Sequence, residues 1–275
     1  MAEITSPARL LTDFSLRCIT HPHLKTPHGF FGRPLFPNGE MIPCSFFFQK
    51  EADIDHDIAA YTEQHLQKIF HISQKFSVVT INQIHSNLCA LLEEPQQVLS
   101  DGDAIVTQCP GVFLKIVTAD CGPIFVHDTE KSIIAAIHTG WNGALAGIIE
   151  NTIQMMESLG SQKIHRTAVL GPTIRSSHYE VNTPFLEKFL AASPSNEIFF
   201  TPREKPEHFS FDLPKYIMHR IEPLVEKMYN VQCDTFGTTF FSRRHIIEKN
   251  ELDPPELFEN RMYRNTSLIG LAFPH

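Results

Sequence analysis

Between residues 76 and 140 this chain sets one strand-like segment directly after another, and that run most constrains its fold. FSVVTINQIH, DGDAIVT, GVFLKIVTAD, IFVHD and SIIAAIHTG follow in order, with CPG as a turn between the second and third. The segments are short, rich in Val, Ile and Phe, and bounded by turn-forming residues. FSVVTINQIH alternates from Val79 through Ile81 and Gln83 to His85, which puts those side chains on one face of an extended strand. A doubly wound parallel sheet needs a crossover helix between successive strands, and no helix has room here. The run therefore favours an α+β fold with mixed or antiparallel sheet and helices packed on it.

After His138 the period changes. ALAGIIENTIQMMESLG places Leu145, Ile149, Ile153 and Met156 on one helical stripe and ends on Gly160, a fitting C-cap. RTAVLGPTI returns to strand. TPFLEKFLAAS and DLPKYIMHRIEPLVEKMY predict further helices, capped near Thr183 and Asp212. A helix is also expected over residues 55–70, where Ile58, Tyr61, Leu66 and Ile69 fall close to helical spacing. The first fifty residues, rich in Pro, Phe and Gly, suggest short strands and turns. GTTFFSRR reads as a last strand-like block before an irregular tail containing DPPELFENR. No polar linker interrupts the pattern, so residues 1–275 are read as a single domain of mixed sheet layered with α-helices.

Composition narrows the function classes. The formal net charge is −8. A nucleic-acid binder needs a basic stripe to displace counterions, so this balance argues against one. A small anionic substrate stays open, because one local cluster of arginines can hold it. The N-terminus carries Glu3 and no apolar core, so it does not read as a secretory signal. No stretch has the run of apolar residues a membrane helix needs. The six cysteines are scattered with no CxxC pair, which reads as reduced thiols in a cytoplasmic protein without membrane partners.

Three chemically suggestive features sit at the ends of apolar strands: His85 in NQIHS, Asp120 and Cys121 in TADCGP, and His138 in IHTGWNGA. Two imidazoles and a thiolate match the ligand preferences of zinc, and three protein ligands leave a fourth position for water or substrate. Cys121 beside a histidine also matches the nucleophile of cysteine hydrolases. The spacing fits no short metal-finger pattern and leaves ligand and nucleophile both open. G-x-S-x-G, H-E-x-x-H, P-loop, G-x-G-x-x-G and zinc-deaminase signatures are all absent.

NQIHS, SDGDAIVT, VTADCGPIFVHD, AAIHTGWNGALAGII, LGPTIRSSHYEV and FFSRR together resemble the multicopper polyphenol oxidase, or laccase-domain, proteins, also called YfiH-like and now purine nucleoside phosphorylases. The resemblance runs from about Gln83 to Arg244, and ENRM is similar to the family's closing segment. It implies a single-domain enzyme with one zinc held by His85, Cys121 and His138. It also implies phosphate-dependent cleavage of adenosine, inosine and methylthioadenosine, with adenosine deamination as a second reaction. Older naming implies a copper-dependent polyphenol oxidase instead. Some bacterial members are linked to peptidoglycan precursor editing, which keeps a metal-free Cys–His hydrolase as an alternative.

Against that background other residues take provisional roles. Arg243 and Arg244 are adjacent, so in an extended chain they face opposite sides, one able to grip phosphate bidentately and one at the surface. Asp120 reads as a group orienting a ligand histidine, or as a turn aspartate. Tyr179, beside Glu180, reads as a base-stacking ring or a core tyrosine. Trp141 reads as packing for the strand–helix corner. His127 and His178 read as structural or surface histidines, and Asp101 and Asp103 as turn residues. Three features depart from the family pattern. Asn142 is read as a substrate-binding position that stands where a basic residue is usual; the lost cation weakens binding of an anionic substrate and, with Phe47, leaves a binding module with a degenerate site as a further reading. Phe47 stands where an asparagine is expected. EKNELDPPELF reads as an insertion before Asn260 and Arg261.

Overall fold

A computed structural model describes residues 18–32, 64, 66–237, 239–249 and 264–271. Phe47, most of the helix expected over 55–70, and residues 250–263, which include ENRM, lie outside those residues; 66–70 are helical. Early strands are β1 (Cys18–Ile19), β2 (His28–Phe31), β3 (Ser77–Thr80) and β4 (Cys89–Leu92). The central ones are β5 (Ala104–Thr107), β6 (Val112–Thr118), β7 (Gly122–Asp128) and β8 (Ile133–Thr139). Helices α1 (Trp141–Ala146) and α2 (Ile148–Ser158) lead to β9 (Arg166–Leu170) and β10 (Glu180–Asn182). Then come α3 (Thr183–Ala192), β11 (Phe200–Pro202), β12 (His208–Phe211) and α4 (Leu213–Ile221). The described chain closes with β13 (Lys227–Asn230), α5 (Arg243–Lys249) and β14 (Asn265–Leu271).

These strands build a five-stranded sheet in the order β1-β2-β14-β6-β3, a six-stranded sheet β13-β9-β7-β8-β5-β4 and a small sheet β10-β12-β11. Parallel pairs (β3 with β6, β4 with β5, β13 with β9) mix with antiparallel ones, as the unbroken strand run implies. The two large sheets face each other, with Phe125, Ile105, Ile134 and Val169 packed against Phe30, Leu114, Ile116 and Ile269. Alternate residues of the same strands, Ala104, Val106, Ile124 and Val126, face the helical layer with Ile149, Ile153, Met156 and Ile217. Strands covered on both faces lose the polar half of their alternation, hence runs such as IIAAI. The outer face of the five-stranded sheet is covered in turn by Leu66, Ile69 and Phe70. The result is a layered α+β fold.

Several local expectations need correction. The 77–85 segment is strand only to Thr80; Gln83 instead clamps Val117 of β6 through both ends of its amide, at 2.8 Å each. The stripe after Gly143 is two helices, because Gly147 between them takes φ +94°, a left-handed turn that glycine adopts without steric cost. The cap of α3 is Asn182, which accepts from Phe185 N at 3.2 Å, rather than Thr183. Asp212 caps α4 as expected. That helix stops at Ile221, since Pro223 cannot donate to the preceding turn, and the segment after it becomes β13. The described residues of GTTFFSRR form no strand, and its last two begin α5. The tail holds β14, a fully buried strand between β2 and β6 whose short TSLIGL run carries too little pattern to announce itself.

Candidate metal and active site

Strand register assembles the site at one end of the six-stranded sheet. In the β7–β8 pair Pro123 lies opposite His138 and Gly122 opposite Thr139, which brings Cys121, just before β7, beside His138. In the β5–β8 pair Ala104 lies opposite Ile137, so Asp103, just before β5, also meets His138; the His138 N–H donates to the Asp103 carbonyl at 2.7 Å. His85 reaches the same point from the β3–β4 loop, in a left-handed conformation at φ +60° that non-glycine residues seldom adopt. Two contacts hold it there. Its N–H donates to Asp103 Oδ1 at 3.0 Å, and its carbonyl accepts from Asn142 Nδ2 at 2.9 Å.

The ligand atoms of His85, Cys121 and His138 all lie within 4.8 Å of one another. Cys121 Sγ is 3.9 Å from His85 Nε2, and the two imidazoles meet edge to face at 4.7 Å. Tetrahedral zinc, with bonds of about 2.3 Å to sulfur and about 2.0 Å to nitrogen, spaces its ligand atoms about 3.3–3.6 Å apart, somewhat closer than the 3.9 Å between Cys121 Sγ and His85 Nε2. His138 Nδ1 bonds Asp103 Oδ1 at 2.7 Å, which leaves Nε2 to face the cluster. Gly140 makes the closeness possible, since a Cβ there would stand 3.0 Å from the Cys121 sulfur and 3.2 Å from the His85 ring. His138 is buried, Cys121 half-buried and His85 exposed, so the cluster has an open side. The donor set fits a metal ion. Among the described residues it is the one group of three or more His, Cys, Asp or Glu so arranged.

Electrostatics reinforce the geometry. Burial pushes the Cys121 thiol up, but His138 and His85 outweigh it and bring it to about 6. Burial lowers His138, yet the Cys121 sulfur and the Asp103 carboxylate raise it to about 9. Asp103 resists its own burial because His138 and Ser86 bond it, and it sits at about 2. Ser86 donates both N–H, at 2.5 Å, and Oγ–H, at 2.8 Å, to that carboxylate.

The cluster opens on a cleft of about 360 Å³ lined also by Asp120, Tyr179, Arg243 and Arg244. Trp141, Ile174, Leu213 and Ile247 supply apolar surface. Ser242 Oγ accepts from His245 N at 3.0 Å and so starts α5. In that first helical turn Arg243 and Arg244 both line the cleft, whereas an extended chain would send them to opposite sides. The Arg244 guanidinium donates to the Glu180 carbonyl at 2.9 Å and lies 5.7 Å above the Tyr179 ring.

Asp120 lines the cleft but does not contact a ligand histidine. Its carboxylate accepts from Thr235 Oγ1 at 2.7 Å and from Arg244 N at 2.8 Å, tying α5 to the Cys121 loop. Burial raises its pKa, with those hydrogen bonds opposing. The carboxylate that orients His138 is Asp103, which looked like a turn residue; only the strand register reveals it. Asn142 sits behind His85 as a backbone support rather than on the cleft wall. Trp141 does pack a corner, 4.9 Å from Phe185, and also borders the cleft. Glu180 is turned away, paired with Arg203 at 3.0 Å. His178 is held by Asp234 at 2.7 Å and stacks on Phe236. His127 is a buried structural residue of β7.

With this geometry established, comparison with known proteins is informative. The family model described as multi-copper polyphenol oxidoreductase laccase matches residues 49–251, well over half of the chain. A Rickettsia prowazekii protein named purine nucleoside phosphorylase is 29% identical over 172 residues, covering 62% of this chain and 71% of its own length. A Mycobacterium bovis protein of the same name is 37% identical over 120 residues, which are 43% of this chain and only 48% of that protein. Among solved structures, Bacillus licheniformis YfiH superposes with a TM-score of 0.68 at 20% identity, covering 89% of this chain and 92% of its own. A Neisseria meningitidis protein does so with a TM-score of 0.67 at 20% identity, covering 94% and 99%. No described helix is long and apolar enough to cross a membrane. By the extent of the family match, the chain belongs to the multi-copper polyphenol oxidoreductase laccase family.

Proposed function

We propose that this protein is a zinc-dependent purine nucleoside phosphorylase, with adenosine deamination as a second reaction. The observation that carries this reading is the His85–Cys121–His138 cluster sharing one cleft with Arg243 and Arg244. The relatives named purine nucleoside phosphorylase support it.

Phosphorolysis joins a phosphate oxygen to C1′ of the ribose while the bond from C1′ to the purine nitrogen breaks and its electrons leave with the base. Positive charge builds on the sugar, so the protein must hold phosphate and sugar close without water competing. Arg243 and Arg244 offer guanidinium N–H groups for the phosphate oxygens, and such charge-assisted contacts are the strong ones. Trp141, Ile174 and Leu213 give the purine an apolar bed. His85, Cys121 and His138 would hold zinc, which supplies Lewis acidity at the leaving or attacking group. Asp103 keeps His138 in the tautomer that presents Nε2, and Asn142 keeps His85 in its left-handed turn.

A copper oxidase fits these residues less well. A multicopper centre needs many histidines, whereas the described residues offer one three-ligand group. A metal-free hydrolase has one observation in its favour, the Cys121 thiol brought down to about 6. Incubation of purified protein with inosine or adenosine plus phosphate should release free base and sugar phosphate, and omitting phosphate should stop it. No base release from protein carrying one zinc per chain would overturn the reading. A Cys121→Ser variant that keeps full metal content would favour the nucleophile instead.

A further inference from the structure

The stretch that read as an insertion, EKNELDPPELF, begins at Glu248, and Glu248 lies on the wall of the cleft. Helix α5 therefore does more than carry two arginines. Its last turn brings Ile247 and Glu248 to the same cavity. Arg243 and Arg244 can only donate hydrogen bonds. The lining carboxylates are Asp120 and Glu248, and they differ. Asp120 spends its oxygens on Thr235 and the backbone of Arg244. Glu248 Oε1 is 4.0 Å from Arg244 Nη1, longer than a hydrogen bond, and its side chain is 48% exposed. Glu248 thus offers acceptor oxygens to a ligand in the cleft.

Resting on the nucleoside reading above, we infer that Glu248 recognises the ribose hydroxyls and makes the cleft selective for ribonucleosides over deoxyribonucleosides. Two neighbouring hydroxyls are two O–H donors on one side of a ring, and the two oxygens of one carboxylate are their natural acceptors. The arginines are then left to the phosphate, and the apolar wall to the base. A ligand lacking the 2′-hydroxyl gives one of those oxygens nothing to bind.

The test compares kcat/KM for inosine and 2′-deoxyinosine, at saturating phosphate, in the wild type and in Glu248→Gln and Glu248→Ala. Zinc content and thermal unfolding are measured on each variant to show that the fold and metal survive. The wild type should prefer inosine. Both variants should lose about 10- to 100-fold on inosine, the scale of a hydrogen bond to a charged group, and far less on 2′-deoxyinosine, so that the preference collapses. An unchanged preference, or equal loss on both substrates, overturns the assignment to Glu248 and leaves the nucleoside reading standing. A wild type that neither binds nor cleaves either nucleoside overturns both.

Discussion

His138 and His127 lie on neighbouring antiparallel strands, β8 and β7, and both are buried, at 3% and 7% exposure. They nevertheless hold protons oppositely. His138 is raised to about 9, against its burial, by the Cys121 sulfur and the Asp103 carboxylate. His127 is lowered to about 4, because burial dominates and the neighbouring His28 adds to it, with Asp128 opposing. The Asp128 carboxylate is occupied by Ser161 and the backbone of Glu130 and Lys131. Burial alone neutralises a histidine. Burial beside a thiolate and a carboxylate that bonds the ring makes it a charged partner or a metal ligand. The two ends of one hairpin differ in their neighbours, not in their strand.

The largest effect that would sharpen this contrast is loss of the cluster. Cys121→Ala should lose its zinc on elemental analysis and cut phosphate-dependent base release by about 10³-fold or more. His127→Gln, at the other end of the hairpin, should keep the metal and the activity. Equal losses in both would erase the distinction.

Acid should single out His127 next. Its pKa is about 4 in the folded chain and about 6.5 unfolded. Above pH 6.5 both states carry the neutral ring, and its folded environment is fully favourable. As pH falls from 6.5 towards 4 the unfolded chain takes up the proton first, so stability drops by up to about 3 kcal/mol. Urea unfolding at pH 7 and pH 4.5 should show a smaller decline in His127→Gln than in the wild type. The same decline in both would place the acid sensitivity elsewhere.

A smaller change should follow at the His138 end from Asp103→Asn, which keeps the shape and removes the charge. Zinc affinity, measured by competition with a chelator, should fall about 10- to 100-fold, the scale for a carboxylate behind a ligand histidine. Unchanged affinity would mean that the backbone alone positions His138.

The strand run, the α+β class and the trio's residue types were legible in the linear chain. Strand alternation and the absence of crossover helices are local properties, and His85, Cys121 and His138 stand at the ends of legible segments. Asp103 was not legible. It lies 35 positions from His138, and only the β5–β8 register makes them neighbours. Arg243 and Arg244 were visible as a pair, but their shared face depends on the Ser242 cap and the Asp120 anchor. The β14 strand was missed because its place between two partners, rather than its short apolar run, makes it a strand.

By itself, then, the sequence determined which side chains were present and which segments would extend or coil, since hydrophobic period and turn chemistry act over a few residues. Tertiary structure alone decided that His138 meets the Asp103 carboxylate as well as the Cys121 sulfur. That choice sets proton affinity and metal binding, because electrostatic neighbours act through space and strand register, not chain spacing, brings them together.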